Sequence, residues 1–328
     1  MLDAFARYDI DGVHFDDFFY PYPEAGQDFN DAATFTKYGG GYASKGDWRR
    51  DNVNKLVQEM SQRIKAVKPW VKFGISPFGI WRNSTTDPLG SATRGLQSYD
   101  EIYADTRMWV KEQWLDYIVP QLYWHIGFDR ADYAELLPWW SKQVAGTRVQ
   151  LYIGQADYRV GETGAWQNPG ELDRQLALNR RHAVSGSVHF SAKDLREDRL
   201  GAVTRYRSTH YAGPALVPTM AHLPGTTPTA PILTAARRDA TGAVTLTWRA
   251  GRGTPATGFA VYRVDETAPA SGATDSNASL VATSRSTGEG EQTWVDRTAA
   301  SGGSYAYCVT AVDRVWNEGV ASAPRRVR

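Results

Sequence analysis

The sequence predicts two folds in series, an α/β domain on a parallel sheet over residues 1–212 and an all-β sandwich over residues 232–328. Three observations predict this. In the first stretch, strand-like and helix-like segments alternate at roughly 40 residues per unit, the pattern of right-handed βαβ units. The last stretch, of about 95 residues, is filled by short alternating strands separated by turn residues. Between them, residues 213–231 carry Pro214, Pro218, Pro224, Gly225, Pro228 and Pro231. So little apolar surface does not offset ordering entropy, which predicts a linker or an ordered strap.

Leu2-Asp3-Ala4-Phe5-Ala6-Arg7-Tyr8 reads as the last two turns of a helix. It has a charge on each turn and lacks the apolar run and small-residue cleavage site of a signal peptide. Val13-His14-Phe15 is a strand. A helix follows with Asp47 as N-cap, carrying Val53, Leu56, Val57, Met60, Ile64 and Val67 on one face until Pro69 ends it. Strands are then predicted at 71–76, 117–123, 149–154 and 186–191, with helices at 106–115, 131–144, 171–183 and roughly 198–207. A doubly wound sheet of five strands would carry a glycine-rich first turn. The nearest candidate, Gly41-x4-Gly46, is followed by Asp47 and Trp48 where a phosphate-binding loop needs Lys and Ser or Thr. In the second domain strands are predicted at 244–248, 258–262, 293–295 and 305–312. Alternation puts Cys308 on the face opposite Tyr307, as a half-exposed sheet residue with nothing nearby to activate its thiol.

Composition narrows the function. The 328 residues hold 37 Lys+Arg against 36 Asp+Glu, a formal net charge of +1. That is neither the basic footprint of a nucleic-acid binder nor an acidic tail. Every apolar run falls far short of the ~18 residues of a membrane span. The single cysteine excludes an intramolecular disulfide and any Cys-based zinc or iron–sulfur site, and the six histidines form no H-x3-H pair. No metal or cofactor is expected. Aromatic residues reach 12%, with 12 Trp, 17 Tyr and 11 Phe, which fits sugar-stacking faces as readily as large aromatic cores.

Function on parallel βα units gathers at the C-terminal strand ends. In the first strand Val13 and Phe15 share the face that suits a helix layer, while Gly12, His14 and Asp16 share the other. Asp16 and Asp17 then stand at the mouth, followed by Phe18-Phe19-Tyr20-Pro21-Tyr22-Pro23. Two adjacent carboxylates are costly unless solvated, paired or useful. Later strand ends supply Ser76 with Trp81 and Arg82 beyond it, Gln121 and Tyr123 on one parity with Trp124, then Asp157, and finally His189 and Ser191 on inward parity. A polar mouth lined by Trp and Tyr and carrying carboxylates suits glycoside hydrolysis, in which one carboxylic acid protonates the leaving oxygen and a second carboxylate attacks or activates water.

The segment Asp11-Gly12-Val13-His14-Phe15-Asp16-Asp17-Phe18-Phe19-Tyr20-Pro21 has a family signature. So do Asp47-Trp48-Arg49-Arg50-x-Asn52-Val53-Asn54, Phe73-Gly74-Ile75-Ser76-Pro77-Phe78-Gly79-Ile80-Trp81-Arg82-Asn83, Tyr103-Ala104-Asp105-Thr106-Arg107-x-Trp109 and Asp116-Tyr117-Ile118-x-Pro120-Gln121-Leu122-Tyr123-Trp124. Together they make residues 1–210 resemble the glycosyl hydrolase-like family ten. The resemblance implies a (β/α)₈ TIM barrel acting outside the cytoplasm, on polysaccharide, with relatives that cleave peptidoglycan glycan strands stripped of stem peptides. It makes Asp16 the expected nucleophile or base, with Asp17 second. His14 is expected to hold a carboxylate or sugar hydroxyl, or else to be a packed core histidine. Tyr20, Trp81, Arg82, Gln121, Tyr123, Trp124 and Ser191 are expected to bind substrate. The acid partner stays open between Asp157, Asp105 (which also suits an N-cap) and sequence outside this chain. Substrate-assisted chitinases read D-G-x-D-x-D-x-E, and Phe18 stands here where that Glu belongs.

If Val13–Phe15 is strand four, the five strands are expected to be four to eight of a barrel whose first three βα units and secretion signal lie upstream, the alternative being a natural short version completed by another chain. The pattern of Trp248, Tyr262, Tyr305 and the Tyr307/Val309/Ala311 alternation resembles an immunoglobulin-like fibronectin type III domain, a spacer or a contact to the cell wall. The alternative to a glycosidase is a non-catalytic carbohydrate-binding protein, an inactive barrel that keeps its aromatic platform.

Overall fold

The computed structural model describes residues 2–182, 184–253, 255–265, 273–274, 277–288 and 290–327. It divides into two compact units, 1–210 and 211–328. No helix among the described residues is long and apolar enough to cross a membrane.

The first unit carries a five-stranded, wholly parallel sheet in sequential order: β1 (Gly12–Phe15), β2 (Lys72–Ile75), β3 (Tyr117–Ile118), β4 (Gln150–Gln155) and β5 (Gly186–His189). Sequential order means that the arc never reverses, the arrangement of a half-barrel. Helices α1 (Leu2–Arg7), α2 (Ala32–Tyr38), α3 (Lys45–Val67), α4 (Ser98–Glu101), α5 (Thr106–Lys111), α6 (Tyr133–Val144), α7 (Glu171–Asn179), α8 (Ala192–Glu197) and α9 (Ala202–His210) complete it. The core lies between the outer sheet face and the helices, where Val13, Phe73, Ile75, Ile118, Leu151 and Ile153 meet Val57, Ile64, Trp109, Leu137 and Trp140.

Several elements differ from expectation for local reasons. The long helix starts two residues earlier than Asp47, because Ser44 is the N-cap and accepts the Asp47 N–H at 3.1 Å. Leu56 and Val67 are exposed, so the buried stripe runs Trp48, Val53, Val57, Met60, Ile64. Pro120 cuts the third strand to two residues, and Gln121 returns only as an isolated bridge. Helices α2 and α8 lack a long apolar period, and α8 is set by a capping box between Ser191 and Asp194. The last residue of the helix predicted at 171–183 lies outside the described residues.

The second unit holds two antiparallel sheets. Strands β6 (Ile232–Arg238), β7 (Val244–Arg249) and β10 (Glu291–Asp296) form one. Strands β8 (Gly258–Asp265), β9 (Leu280–Arg285), β11 (Tyr305–Val312) and β12 (Arg325–Val327) form the other. Their inner faces share a core of Leu246, Trp248, Phe259, Val261, Tyr307 and Val309. Met220 and Leu223 of the Pro/Gly-rich stretch are buried in this unit. Cys308 does face away from Tyr307, but it is 2% exposed, not half-exposed. Leu216, Ala273 and Leu280 cover that outer face, and burial pushes the thiol up to about 11, which makes it inert.

Candidate active site

Alternation in β1 places Val13 in the core and turns His14 and Asp16 to the open, concave face of the sheet. Gly74, opposite His14 in β2, makes room there, since a Cβ on it would lie 2.3 Å from the Tyr117 ring. Tyr117 therefore lies across the sheet, with its ring stacked on His14 at 5.8 Å between centroids.

A hydrogen-bonded line runs from this ring to Asp16. Tyr117 Oη is 3.1 Å from His14 Nδ1, His14 Nε2 is 3.0 Å from Ser76 Oγ, and Ser76 Oγ is 3.4 Å from Asp16 Oδ1. An ionised carboxylate only accepts, so Ser76 donates to Asp16 and takes its own bond from His14 Nε2–H. That leaves His14 Nδ1 to accept from Tyr117, whose hydroxyl is pushed up to about 12 by burial and stays protonated. Desolvation of the imidazole outweighs the pull of Asp16 and lowers the His14 pKa, consistent with a neutral ring. Gln121 Nε2 adds a bond to Asp16 Oδ1 at 2.9 Å and one to Ser76 O at 2.8 Å, and the Asp17 N–H reaches the same Oδ1 at 2.9 Å. All three bonds to the Asp16 side chain fall on Oδ1, and the residue is exposed at the mouth.

Asp17 differs from its neighbour. It is 4% exposed, and Tyr22 Oη–H donates to its Oδ2. Burial raises its pKa, the Tyr22 bond opposes the rise, and the adjacent Asp16 charge adds to it. Two consecutive carboxyls thus lie in different environments, one exposed and one buried. Asp16 presents itself, and Asp17 stands behind it.

Aromatic rings extend from this pair along the strand ends. Phe18 packs on Tyr22, Tyr22 on Phe78, and Phe78 on Trp124, with centroids 5.9, 6.1 and 5.5 Å apart. Two clefts flank the row. One, of about 450 Å³, is walled by Tyr20, Tyr22, Phe29 and Tyr103 with Glu24, Asp28 and Glu101 at its edges. The other, of about 550 Å³, is lined by Trp124, Phe128, Arg94, Arg130 and again Glu101. Arg49 props the first from beneath, its guanidinium 5.3 and 5.0 Å from the Tyr20 and Tyr103 ring centres.

Of the sequence-predicted residues, His14, Asp16, Asp17 and Gln121 come together, and Tyr20 and Trp124 line the clefts. Tyr123 stacks on Phe190 at 6.1 Å, and its hydroxyl is raised by burial and by the charges of Asp16, Asp17 and Asp157 among others. Four others lie apart from this cluster. Trp81 is 5% exposed, enclosed by Tyr99, Trp139 and the Arg107 guanidinium, and has no open face for a sugar. Arg82 is held in a bidentate pair with Asp100 and bonded to Asp87. Ser191 caps α8. Asp157 is 3% exposed, with one oxygen bonded to His189 Nδ1 at 2.8 Å and the other to Tyr206 Oη at 2.8 Å. His189 itself faces α9, stacked on Tyr206, because Gly186, packed against Tyr152, and Val188 take the concave face. Asp105 is the α5 N-cap, accepting from Met108 N–H at 3.3 Å.

Sequence reasoning missed Tyr117, Tyr22 and Glu101. Inward parity with Gly74 would have found Tyr117, and Tyr22 lay within the aromatic run. Glu101 is brought to both clefts by the fold of the 76–105 loop, which no local pattern announces. No cluster of His, Cys, Asp or Glu suited to a metal occurs among the described residues.

The family model described as Glycosyl hydrolase-like 10 matches residues 1–170. The protein of Bacillus subtilis (strain 168) named Glycosyl hydrolase YngK is 46% identical over 324 residues, which cover 96% of this chain and 62% of that protein. The Escherichia coli (strain K12) protein named Glycosyl hydrolase DigH is 46% identical over 219 residues, 64% of this chain and 48% of that one. The chain therefore spans roughly half to three-fifths of these relatives. A solved Fn3-like protein from Clostridium thermocellum is 25% identical over 31% of this chain and 94% of its own, with a TM-score of 0.25 that carries no argument.

Proposed function

The chain belongs to the glycosyl hydrolase-like 10 family, and from that premise we propose that it hydrolyses glycosidic bonds of a cell-wall glycan, peptidoglycan glycan strands above all. One observation carries the reading: an exposed aspartate, Asp16, is oriented through Oδ1 by three donors at the C-terminal end of a parallel strand, beside aromatic-walled clefts. Asp16 attacks the anomeric carbon or activates the water that does. Ser76, His14 and Tyr117 hold its orientation without changing charge. Asp17 stands buried close behind, its pKa raised by that burial, and Glu101, which lines both clefts, protonates the leaving oxygen. The five-stranded arc is read as part of a (β/α)₈ barrel acting outside the cytoplasm, and the second unit as a fibronectin type III-like spacer or wall contact.

Hydrolysis adds water across the bond, and that is the test. Denuded peptidoglycan glycan incubated with the chain in H₂¹⁸O should yield oligosaccharides carrying one heavy oxygen at each new reducing end. Products without heavy oxygen, or glycan bound but never shortened, would replace this reading with a non-hydrolytic or purely binding one.

A further inference from the structure

The two clefts that share Glu101 have opposite charge. In the tyrosine-walled cleft the acidic side chains of Glu24, Asp28 and Glu101 outnumber Arg49, the cation of the lining, which is bonded to Asp28, Asp31, Tyr103 and Phe29 O, while Lys45 pairs with Asp28 beside it. A carboxylate-bearing sugar entering there meets an excess of acidic groups and no cation that is not already paired with a carboxylate. In the other cleft Arg94 and Arg130 stand side by side, because the Arg94 N–H bonds to Arg130 O at 2.8 Å and ties the two loops together. Arg94 spends one terminal nitrogen on the exposed Asp129, at 3.2 Å to its backbone oxygen and 3.4 Å to its carboxylate. Arg130 is exposed and makes no ion pair among the described residues. Trp124 and Phe128 supply an apolar wall beneath them.

We propose that the Arg94–Arg130 cleft is a subsite for a sugar unit bearing a carboxylate, and the tyrosine-walled cleft one for an uncharged unit. The inference rests on the glycosidase reading above and adds its substrate polarity, a glycan in which anionic and neutral units alternate across Glu101. Guanidinium donors matched to a carboxylate over an aromatic wall provide both charge and orientation.

The test compares two probes on the full chain carrying Asp16→Asn, so that bound glycan is not consumed. One is a hexasaccharide of alternating N-acetylglucosamine and N-acetylmuramic acid. The other is the same hexasaccharide with every carboxyl reduced to the alcohol. Calorimetric Kd values should favour the acid form about tenfold at low salt, a preference that shrinks as ionic strength rises. In Arg94→Gln/Arg130→Gln the ratio should fall to about one. Both arginines are exposed, and an unchanged melting temperature verifies the fold of the variant. Equal affinity of the Asp16→Asn chain for the two probes, or a preference that survives the double substitution, would overturn the subsite and leave the glycosidase reading standing. No binding of either probe would remove both.

Discussion

Replacing Arg49 by Met is the substitution whose cost follows most directly from the geometry. The Arg49 guanidinium is 2% exposed and donates to both oxygens of Asp31 at 2.8 and 2.6 Å, to Asp28 at 2.9 Å and to Tyr103 Oη at 2.8 Å. Asp31 is 6% exposed, so methionine leaves its carboxylate buried with Lys45, 3.7 Å away, as the remaining cation. Breaking one side of a buried pair costs about 3–5 kcal/mol, and Lys45 puts the expectation near ~3 kcal/mol. For a domain of this size that lowers the melting temperature by about 6–12 °C. Arg49→Met/Asp31→Leu removes the orphaned charge as well and should recover most of the loss.

The pH dependence has a definite sign. The hydrogen-bonded Arg49 holds the Asp31 carboxyl below the ordinary range. Its stabilisation is complete above the unfolded value of about 3.9 and is lost as pH falls through the folded one. Arg49→Met should therefore lose less stability than the parent protein on going from pH 5 to pH 3. Scanning calorimetry of the three proteins reads all of this. A shift under 2 °C, or a double variant no better than the single one, would refute the reasoning.

Three further outcomes follow from the same geometry. Burial raises the Asp17 pKa, so its contribution is complete below about 3.9 and declines as pH rises through the folded value. Asp17→Asn should consequently gain stability relative to the parent between pH 4 and 7, and a constant difference in denaturant midpoint would contradict this. Gly74→Ala forces a Cβ to 2.3 Å from the Tyr117 ring and should cost about 1–3 kcal/mol, against about 1 kcal/mol for Tyr117→Phe, which deletes only the donor to His14. Urea unfolding measures both, and a neutral Gly74→Ala would show that the ring packs elsewhere. Glu101→Gln should slow hydrolysis of natural glycan by 10² or more, yet spare aryl glycosides whose leaving groups need no proton. Equal slowing of both substrates would exclude it as the acid.

Much of the fold and part of the site were legible because they rest on local periodicity. All five strands were found, and β1 parity alone assigned His14 and Asp16 to the concave face. The same rule failed at β5. Val188 looks like a core residue but faces the open side of the sheet, which turns His189 toward Tyr206 and sends Ser191 to cap a helix. Trp81 and Arg82 follow a strand end closely in sequence, yet Asp100 and Tyr99 of the 76–105 loop hold them there together with Trp139 of α6. Glu101 reaches the clefts by that same loop, and its position depends on contacts distant in sequence. Cys308 illustrates the limit for sheets, since alternation gives the face but not what covers it.

The most direct test of the account is Asp16→Asn, assayed for both turnover and binding on denuded peptidoglycan glycan. Asparagine keeps the shape and the acceptor oxygen that Ser76, Gln121 and the Asp17 N–H address, while removing the charge that attacks or activates water. The account predicts a loss of turnover of at least ~10³-fold with Kd changed by less than about threefold. Turnover within tenfold of the parent protein would contradict it, because the chemistry would then reside on another group.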